Sequence, residues 1–184
     1  MVEEFVLQLY AEMAHDCTRG SWTCFESRGI PNWTPAGGYT TPSQSIVPLH
    51  VKWMLAWEDP VDFAEITLLK ATPRSWLTAG ETIAVQNAPL TAGRLSFNVT
   101  SALAGPTPTI AASIKLAPTA VTLANTQAPK TESVTLRLRV PVGWRMTAVT
   151  IGGDSWSRFD SDREEVTVPL KGSTPTKVLA HFTK

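Results

Sequence analysis

Hydrophobic positions at the start of the chain repeat with the period of an α-helix. The apolar positions are Val2, Phe5, Val6, Leu9, Tyr10, Met13 and Ala14, and the opposite side carries Glu3, Glu4, Gln8 and Glu12. The pattern therefore predicts an amphipathic helix over residues 2–15. Because no capping residue precedes this helix, we expect the chain to start within an element of a larger structure.

A second helical pattern follows Thr41, which is a suitable N-cap. From Ser45 to Glu58 the apolar residues go nearly all the way round the helix. They are Ile46, Val47, Leu49, Val51, Trp53, Met54, Leu55, Ala56 and Trp57. A helix that is apolar on all sides is normally buried, so we expect Trp53, Trp57 and the neighbouring His50 to lie in a core.

Beyond residue 60 the pattern changes to short stretches in which apolar and polar residues alternate, with turn residues between them. The predicted strands are 66–69, 82–85, 94–99, 110–116, 134–140, 146–151, 165–168 and 177–182. The clearest is 134–140, where Val134, Leu136, Leu138 and Val140 face inward and Thr135, Arg137 and Arg139 face outward. About eight such strands are typical of an antiparallel β-sandwich.

The connections complete the predicted organisation. A short helical turn is expected at 73–77, a tight turn at Gly152–Gly153, and a longer connection over 117–131, which is rich in Thr, Ala and Pro. The fold class is therefore α+β. Residues 1–60 form a helical hairpin segment with a functional loop at 16–41, and residues 61–184 form the β-sandwich domain.

The composition describes a neutral chain with enough apolar residues for a core. Of the 184 residues, 43% are hydrophobic, and the formal net charge is zero. The neutral charge and the lack of a basic cluster exclude nucleic acid and anionic membranes as expected partners. No signal peptide or transmembrane segment is predicted, because Glu3, Glu4 and Glu12 interrupt the apolar start. The cellular location stays unassigned.

The candidates for metal or nucleophilic chemistry are few. Cys17 and Cys24 allow free thiols, a small disulfide or, least of all, metal ligation. Their spacing fits no common zinc pattern, and His15, His50 and His181 are scattered along the sequence. Neither a Gly-x-Ser-x-Gly elbow nor a phosphate-binding glycine loop occurs. No metal site and no cofactor are therefore predicted.

The segment 16–41, between the two predicted helices, has neither helical nor strand periodicity. Long irregular connections of this kind are usually functional or disordered. Disordered segments are poor in aromatic residues, whereas this one contains Trp22, Phe25, Trp33 and Tyr39. We expect an ordered, surface-lining loop, whose aromatic and charged groups suit sugar rings or a protein interface.

The order of these motifs resembles the last part of an (α/α)6 toroid of bacterial glycoside hydrolases, followed by the β-sandwich that closes such proteins. The helical part of the likeness rests on TRGSWTCFESRG, TPSQ and WMLAWEDP. The sandwich part rests on LLKATPRSWL, APLTAGRLSFNV, LRLRVPVGW and TIGGDSWSRFD. The resemblance implies that most of the toroid lies upstream. Either that missing N-terminal toroid or a second copy of the chain would cover the 45–57 helix.

In such toroids the loops at one end of the helices line the sugar-binding cleft. The resemblance implies that Arg19 donates a forked pair of hydrogen bonds to sugar hydroxyls or to a uronate carboxylate. Trp22 or Trp33 would stack on a pyranose face. Glu26 would bind sugar hydroxyls or serve as one carboxylate of a catalytic pair, with Asp16 as the second candidate. The remaining candidate substrate contacts are Arg28, Tyr39 and Gln44.

Structural roles stay open for several of these residues. Glu26 could form a salt bridge to Arg19 or Arg28, and Asp16 follows the first helix as a local hydrogen-bonding residue. Trp144 and Trp156 either pack in the sandwich or offer a sugar platform.

The leading hypothesis is a carbohydrate-active protein, the C-terminal portion of a toroidal glycoside hydrolase that acts on or binds a polysaccharide or oligosaccharide. A non-catalytic carbohydrate-binding module and an oligomerisation or partner-binding domain are the alternatives.

Overall fold

A computed structural model of the chain describes residues 2–15, 41–118 and 130–184. Two α-helices come first, α1 (Val2–His15) and α2 (Thr41–Leu55). The strands are β1 (Ala56–Glu58), β2 (Ile66–Leu68), β3 (Thr82–Leu90), β4 (Gly93–Ala102), β5 (Thr109–Pro118), β6 (Ser133–Arg137), β7 (Arg145–Ile151), β8 (Asp154–Trp156), β9 (Phe159–Asp160), β10 (Glu165–Pro169) and β11 (Thr176–Thr183). A 3-10 turn covers Arg74–Leu77.

The strands form two sheets. One has five strands in the order β1-β2-β6-β10-β9, and the other has six in the order β3-β4-β5-β11-β7-β8. The β2–β6 pair is parallel, and the other pairs in the described residues are antiparallel. The predicted α+β class with a β-sandwich is confirmed.

The core lies between the two sheets, because alternate residues of each strand point to the same face. In β4 the buried positions are Leu95, Phe97, Val99 and Ser101, and in β5 they are Ile110, Ala112, Ile114 and Leu116. The five-stranded sheet contributes Ile66, Leu68, Val134, Leu136, Val166 and Val168. Burial of this apolar surface, at about 25 cal/mol per Å², is the main term that stabilises the sandwich.

All eight predicted strands are present, and β1, β8 and β9 were not predicted. The second helix ends at Leu55 rather than Glu58, so the prediction for Ala56–Glu58 was wrong. These residues pair with β2 instead, with Trp57 opposite Thr67. The carboxylate of Glu58 also accepts hydrogen bonds from Lys52 Nζ at 3.1 Å and from the Thr91 backbone N–H at 2.5 Å. Strand pairing and these tertiary contacts override the helical pattern of the sequence.

The stretch 134–140 departs from the prediction at one position. Val134, Leu136, Leu138 and Val140 are buried as expected, but Arg139 is only 3% exposed instead of facing solvent. Strand β6 ends at Arg137, so strict alternation stops before this residue. Its Nη1 donates to the carbonyl oxygen of Thr72 at 2.6 Å, and its Nη2 donates to the carboxylate of Glu3.

Two predicted turns are confirmed. The 3-10 turn at Arg74–Leu77 matches the expected helical turn. Gly152 and Gly153, with φ of 64° and 99°, form the turn between β7 and β8, and such positive φ values favour glycine. The expected connection over 117–131 begins later than predicted, since β5 continues through Pro118. Residues 119–129 lie outside the described part of the chain.

The two helices are attached to the sandwich at several points. α2 passes into β1 without a linker, and Glu3 of α1 contacts the buried Arg139. The helices pack on each other around Val47, which contacts Met13 and Val51. Neither helix of the described ranges has the length and apolar character needed to cross a bilayer.

Candidate functional site

The residues predicted to contact or cleave a sugar fall almost entirely outside the described ranges. These are Asp16, Arg19, Trp22, Glu26, Arg28, Trp33 and Tyr39. The backbone of Gln44 lies in the first turn of α2, and its side chain lies outside the described part of the chain. The sugar-binding loop therefore stays a prediction. The candidate site within the described ranges consists of other residues.

Within the described residues, the most distinctive cluster is a row of aromatic rings along the helical pair. The ring of Phe5 on α1 meets His50 on α2 edge-on, with centroids 5.9 Å apart. His50 is followed by Trp53 at 5.7 Å, and Trp53 by Trp57 at 5.7 Å. We call Phe5, His50, Trp53 and Trp57 the aromatic row.

The spacing of the sequence creates this row. His50 and Trp53 are three residues apart on α2, and Trp57 follows four residues later, so successive rings lie on one side of the helix. Although Trp57 belongs to β1, the direct junction of α2 and β1 keeps it beside Trp53. The edge-on pair of Trp53 and Trp57 adds about 0.5–1.5 kcal/mol beyond simple area burial.

Two charged residues border the aromatic row. Nδ1 of His50 lies 3.2 Å from a carboxylate oxygen of Glu12, and both side chains are about one-fifth exposed. Nζ of Lys70 lies 4.2 Å from the ring centroid of Trp57, a cation–π contact. The Glu12 carboxylate lies within hydrogen-bonding distance of Nδ1 and so orients the imidazole ring.

The row is not buried as the sequence predicted. Trp53 was expected in a core but is 36% exposed, and Trp57 and His50 are only half-buried. Other large apolar side chains of the helical pair are also exposed, namely Leu7 at 69%, Tyr10 at 48% and Leu49 at 37%. Within the described residues, α1 covers one side of α2 through Phe5, Glu12 and Met13, and α2 joins the sandwich at its C-terminal end. We use the name exposed apolar face for the exposed side chains together, of which Leu7 and Tyr10 lie on α1 and Leu49 and Trp53 lie on α2.

The tryptophans of the sandwich have packing roles. Trp156 is half-buried against the core, and its Nε1–H donates to the carbonyl oxygen of Thr167 at 2.9 Å. Trp144 also packs against the core, with Nζ of Lys184 5.6 Å from its ring centroid. The ring and the N–H of Trp156 are both engaged within the fold, and the ring of Trp144 packs on the core, which favours packing over the alternative of a sugar platform.

The sequence pattern predicted Trp53 in a core, which is wrong within this chain, but it also indicated that the 45–57 helix needs a cover from outside the chain. A helix that is apolar all round must be covered by neighbours, and the described chain offers too few of them. The arrangement can bind through ring stacking, cation–π contact or apolar burial, since exposed aromatic groups serve sugars and proteins alike. It brings no pair of carboxylates together in the described residues of this cluster.

Three comparisons with known proteins add no identification: no protein-family model matches the chain, and neither a curated protein nor a solved structure is significantly similar to it.

Proposed function

We propose that the chain is the C-terminal portion of a carbohydrate-active protein of the toroidal glycoside hydrolase type. In this proposal α1 and α2 belong to the edge of a helical toroid, and the β-sandwich supports them. The observation that carries the proposal is the exposed apolar face on a helical pair that is joined directly to a sandwich. A toroid supplies further helices beside such a pair, and an isolated module has no need of that face.

The exposed apolar side chains of the two helices would gain free energy if another part of a larger protein covered them. Exposed apolar side chains that lie side by side mark contact sites more often than single ones do. Leu7 and Tyr10 are three residues apart on α1, and Leu49 and Trp53 are four apart on α2, so each pair lies side by side. Each fully covered Leu or Trp side chain gains about 1.5–3 kcal/mol or more. Because Leu7, Tyr10, Leu49 and Trp53 lie on both helices, a neighbouring helix or bundle of helices is a suitable cover for them.

The proposed chemistry belongs to the loop between the helices. Glu26 is the proposed catalytic carboxylate, acting as general acid–base or nucleophile, with Asp16 as the second candidate. Arg19 and Arg28 would donate hydrogen bonds to the sugar. The aromatic residues of the loop, Trp22, Trp33 and Tyr39, would stack on it, and Gln44 would bind a hydroxyl group at the start of α2.

Activity assays test this proposal. Aryl glycosides and polysaccharides are incubated with the wild type, with Glu26→Gln and with Glu65→Gln. Glu65 is an exposed residue just before β2, so it serves as a matched control for the loss of one carboxylate. If Glu26 is catalytic, its variant loses at least about a hundredfold in rate, and the control keeps the wild-type rate. Equal rates in all three proteins remove Glu26 from catalysis.

Binding assays separate activity from recognition. In affinity electrophoresis, retardation of the wild type by a soluble glycan without any hydrolysis favours a non-catalytic binding module. Retardation together with hydrolysis favours the enzyme. If no glycan is hydrolysed and none retards the protein, the carbohydrate proposal is wrong.

The exposed apolar face also supports a second candidate, a partner-binding or oligomerisation domain. Light scattering over a range of concentrations, on the wild type and on Trp53→Ser with Leu49→Ser, distinguishes this candidate. A dimer that the double variant disrupts favours self-association through α2. A monomer at every concentration excludes a second copy as the cover of this face.

A further inference from the structure

The outer face of the six-stranded sheet carries a polar groove that is separate from the aromatic row. One row of opposed residues crosses the sheet from Ala84 on β3 to Asn98 on β4, Ser113 on β5 and Lys177 on β11. Beyond Lys177 the row ends at the Gly152 turn, whose N–H donates to the Lys177 carbonyl at 2.9 Å. The residues of this row point away from the core because they alternate with the buried ones.

Small side chains make this face concave. A second row beside the first consists of Thr82, Thr100, Ala111, Leu179 and Thr150. Alanine, serine and threonine keep the middle of both rows low, and two hollows of about 440 and 290 Å³ result. Asn98 and Ser113 line both hollows, which therefore adjoin as one groove along the sheet.

The groove is positively charged. Lys177 lines the larger hollow and Lys115 the smaller one, and among the described residues that line them there is no aspartate or glutamate. Lys177 pairs with Ser113, two residues before Lys115, so the two lysines are diagonal neighbours, with backbones roughly 7–8 Å apart. Both are exposed, and neither is in an ion pair within the described part of the chain. By contrast, Lys52 and Lys130 are paired with Glu58 and Glu132.

The remaining lining determines what kind of anion fits. Asn98, Thr100, Ser113 and Thr150 offer amide and hydroxyl groups, which both donate and accept hydrogen bonds. No aromatic ring is exposed in the groove among the described residues, since Phe97 is only 3% exposed. Single-stranded nucleic acids are bound largely through stacking of their bases on exposed aromatic rings, which this surface does not provide. A flexible chain that carries both carboxylates and hydroxyl groups would suit this lining. Its carboxylates would pair with the lysines, and its hydroxyl groups would hydrogen-bond to the amide and hydroxyl side chains.

We propose that this groove binds an acidic glycan, a chain of sugars that includes uronic acids. Lys115 and Lys177 would contact carboxylates, and the amide and hydroxyl side chains between them would contact sugar hydroxyls. This inference rests on the proposed carbohydrate function, and assigns to the sandwich a binding site separate from the loop. The charge of the groove supports it, since the described lining holds two lysines and no acidic side chain. Such lysines attract anions, and their attraction weakens with salt.

The test is affinity electrophoresis in polygalacturonate or alginate, in a neutral glucan, and in polyglutamate. The proteins are the wild type, Lys115→Ser with Lys177→Ser, and the control Lys130→Ser. Lys130 is exposed ahead of β6, a strand of the other sheet, so its replacement also removes a surface ammonium group. We expect the acidic glycan to retard the wild type and the control equally. The double variant should bind it about 5- to 10-fold more weakly, since each exposed charge pair contributes modestly.

The other outcomes are informative in different ways. Equal retardation of the double variant by the acidic glycan overturns the groove while leaving the carbohydrate function in place. Retardation by the neutral glucan but not by the acidic glycan also overturns the groove proposal and leaves the carbohydrate function in place. Retardation by polyglutamate as strong as by the glycan shows simple ion exchange and overturns the proposed ligand. If no glycan retards the wild type, the groove proposal and glycan binding both fail.

Discussion

The guanidinium of Arg139, buried in the sandwich, donates a hydrogen bond to the carboxylate of Glu3 at the start of α1, 136 residues earlier in the chain. The same guanidinium donates to the carbonyl oxygen of Thr72 at 2.6 Å. One side chain therefore ties together the first helix, the connection after β2 and the segment after β6. Burying the guanidinium costs desolvation energy, so such a contact adds little net stability, although breaking it leaves buried groups without partners.

Replacing Arg139 by leucine should lower the free energy of unfolding by about 1–3 kcal/mol, because the buried Thr72 carbonyl loses its charged donor. Urea unfolding followed by circular dichroism measures this loss. The control is Arg145→Leu, since Arg145 pairs with Asp162 at the surface at 3.0 Å. That variant should stay within about 0.5 kcal/mol of the wild type. Equal effects in the two variants would contradict a special role for Arg139.

Stability should fall in acid, in part through Glu3. The hydrogen bond from Arg139, with a smaller contribution from the backbone N–H of Glu3, lowers the pKa of Glu3 below its ordinary value of 4.5. A carboxylate with a lowered pKa adds stability above the ordinary pKa, and this stability is lost as the pH falls through the pKa of the folded state. Backbone N–H groups lower the pKa of Asp59 and Asp160 in the same direction.

The urea midpoint of the wild type, measured from neutral pH to about pH 3, should therefore decrease. In Glu3→Gln the decrease should be smaller, because the amide does not ionise. Arg139→Leu should flatten the curve in the same way, since it removes the donor that lowers the Glu3 pKa. Curves of unchanged steepness in both variants would show that the contact is not formed in solution.

Gly93 cannot take a side chain. Its φ is +148°, and a Cβ atom there would lie 2.2 Å from the Ala117 carbonyl oxygen and 2.9 Å from Cα of Pro118. Gly93→Ala should cost at least about 3 kcal/mol, because backbone strain and overpacking add up. Gly143 is the control, because its φ of +94° also strains an alanine but no atom lies within 4 Å of its Cβ position. Gly143→Ala should cost only about 1–2 kcal/mol, and equal thermal shifts would refute the close β4–β5 approach.

The two tryptophans of the aromatic row should differ in their effect on stability. Trp57 is half-buried, lies in the sheet opposite Thr67 and carries the Lys70 ammonium group over its ring. Trp57→Ala should cost about 2–3 kcal/mol, and Trp53→Ala about 1 kcal/mol or less. Far-UV circular dichroism in urea is the suitable measurement, since tryptophan fluorescence changes with the substitution itself. A larger loss for Trp53 would mean that its ring is covered in solution.

Periodicity was sufficient to predict most of the fold. The period of α1 and the alternation in β4, β5 and β11 follow from single faces that are buried, which leave a regular trace in the sequence. The end of α2 could not be predicted in this way, because the sequence of Ala56–Glu58 fits the helical period as well as a strand. Pairing with β2 decides between the two. Arg139 could not be predicted either, since its burial depends on the Thr72 carbonyl, which is distant in the sequence.

The candidate surfaces were harder to predict than the fold. Alternation assigns Asn98, Ser113 and Lys177 to outward positions, but only the register of three strands brings them into one row. Alternation restricts that register only to steps of two residues, and the turns between the strands select among those steps. The exposure of Trp53 likewise depends on which neighbours cover α2.

The junction of α2 and β1 has a consequence for how the molecule can be divided. β1 forms the edge of the five-stranded sheet, although it belongs to the segment that precedes residue 60. A polypeptide started at Val61 would lack β1, so the backbone groups of β2 on that side would be left without partners. Open strand edges pair with other chains, and we expect the shortened sandwich to aggregate where the longer polypeptide stays dispersed.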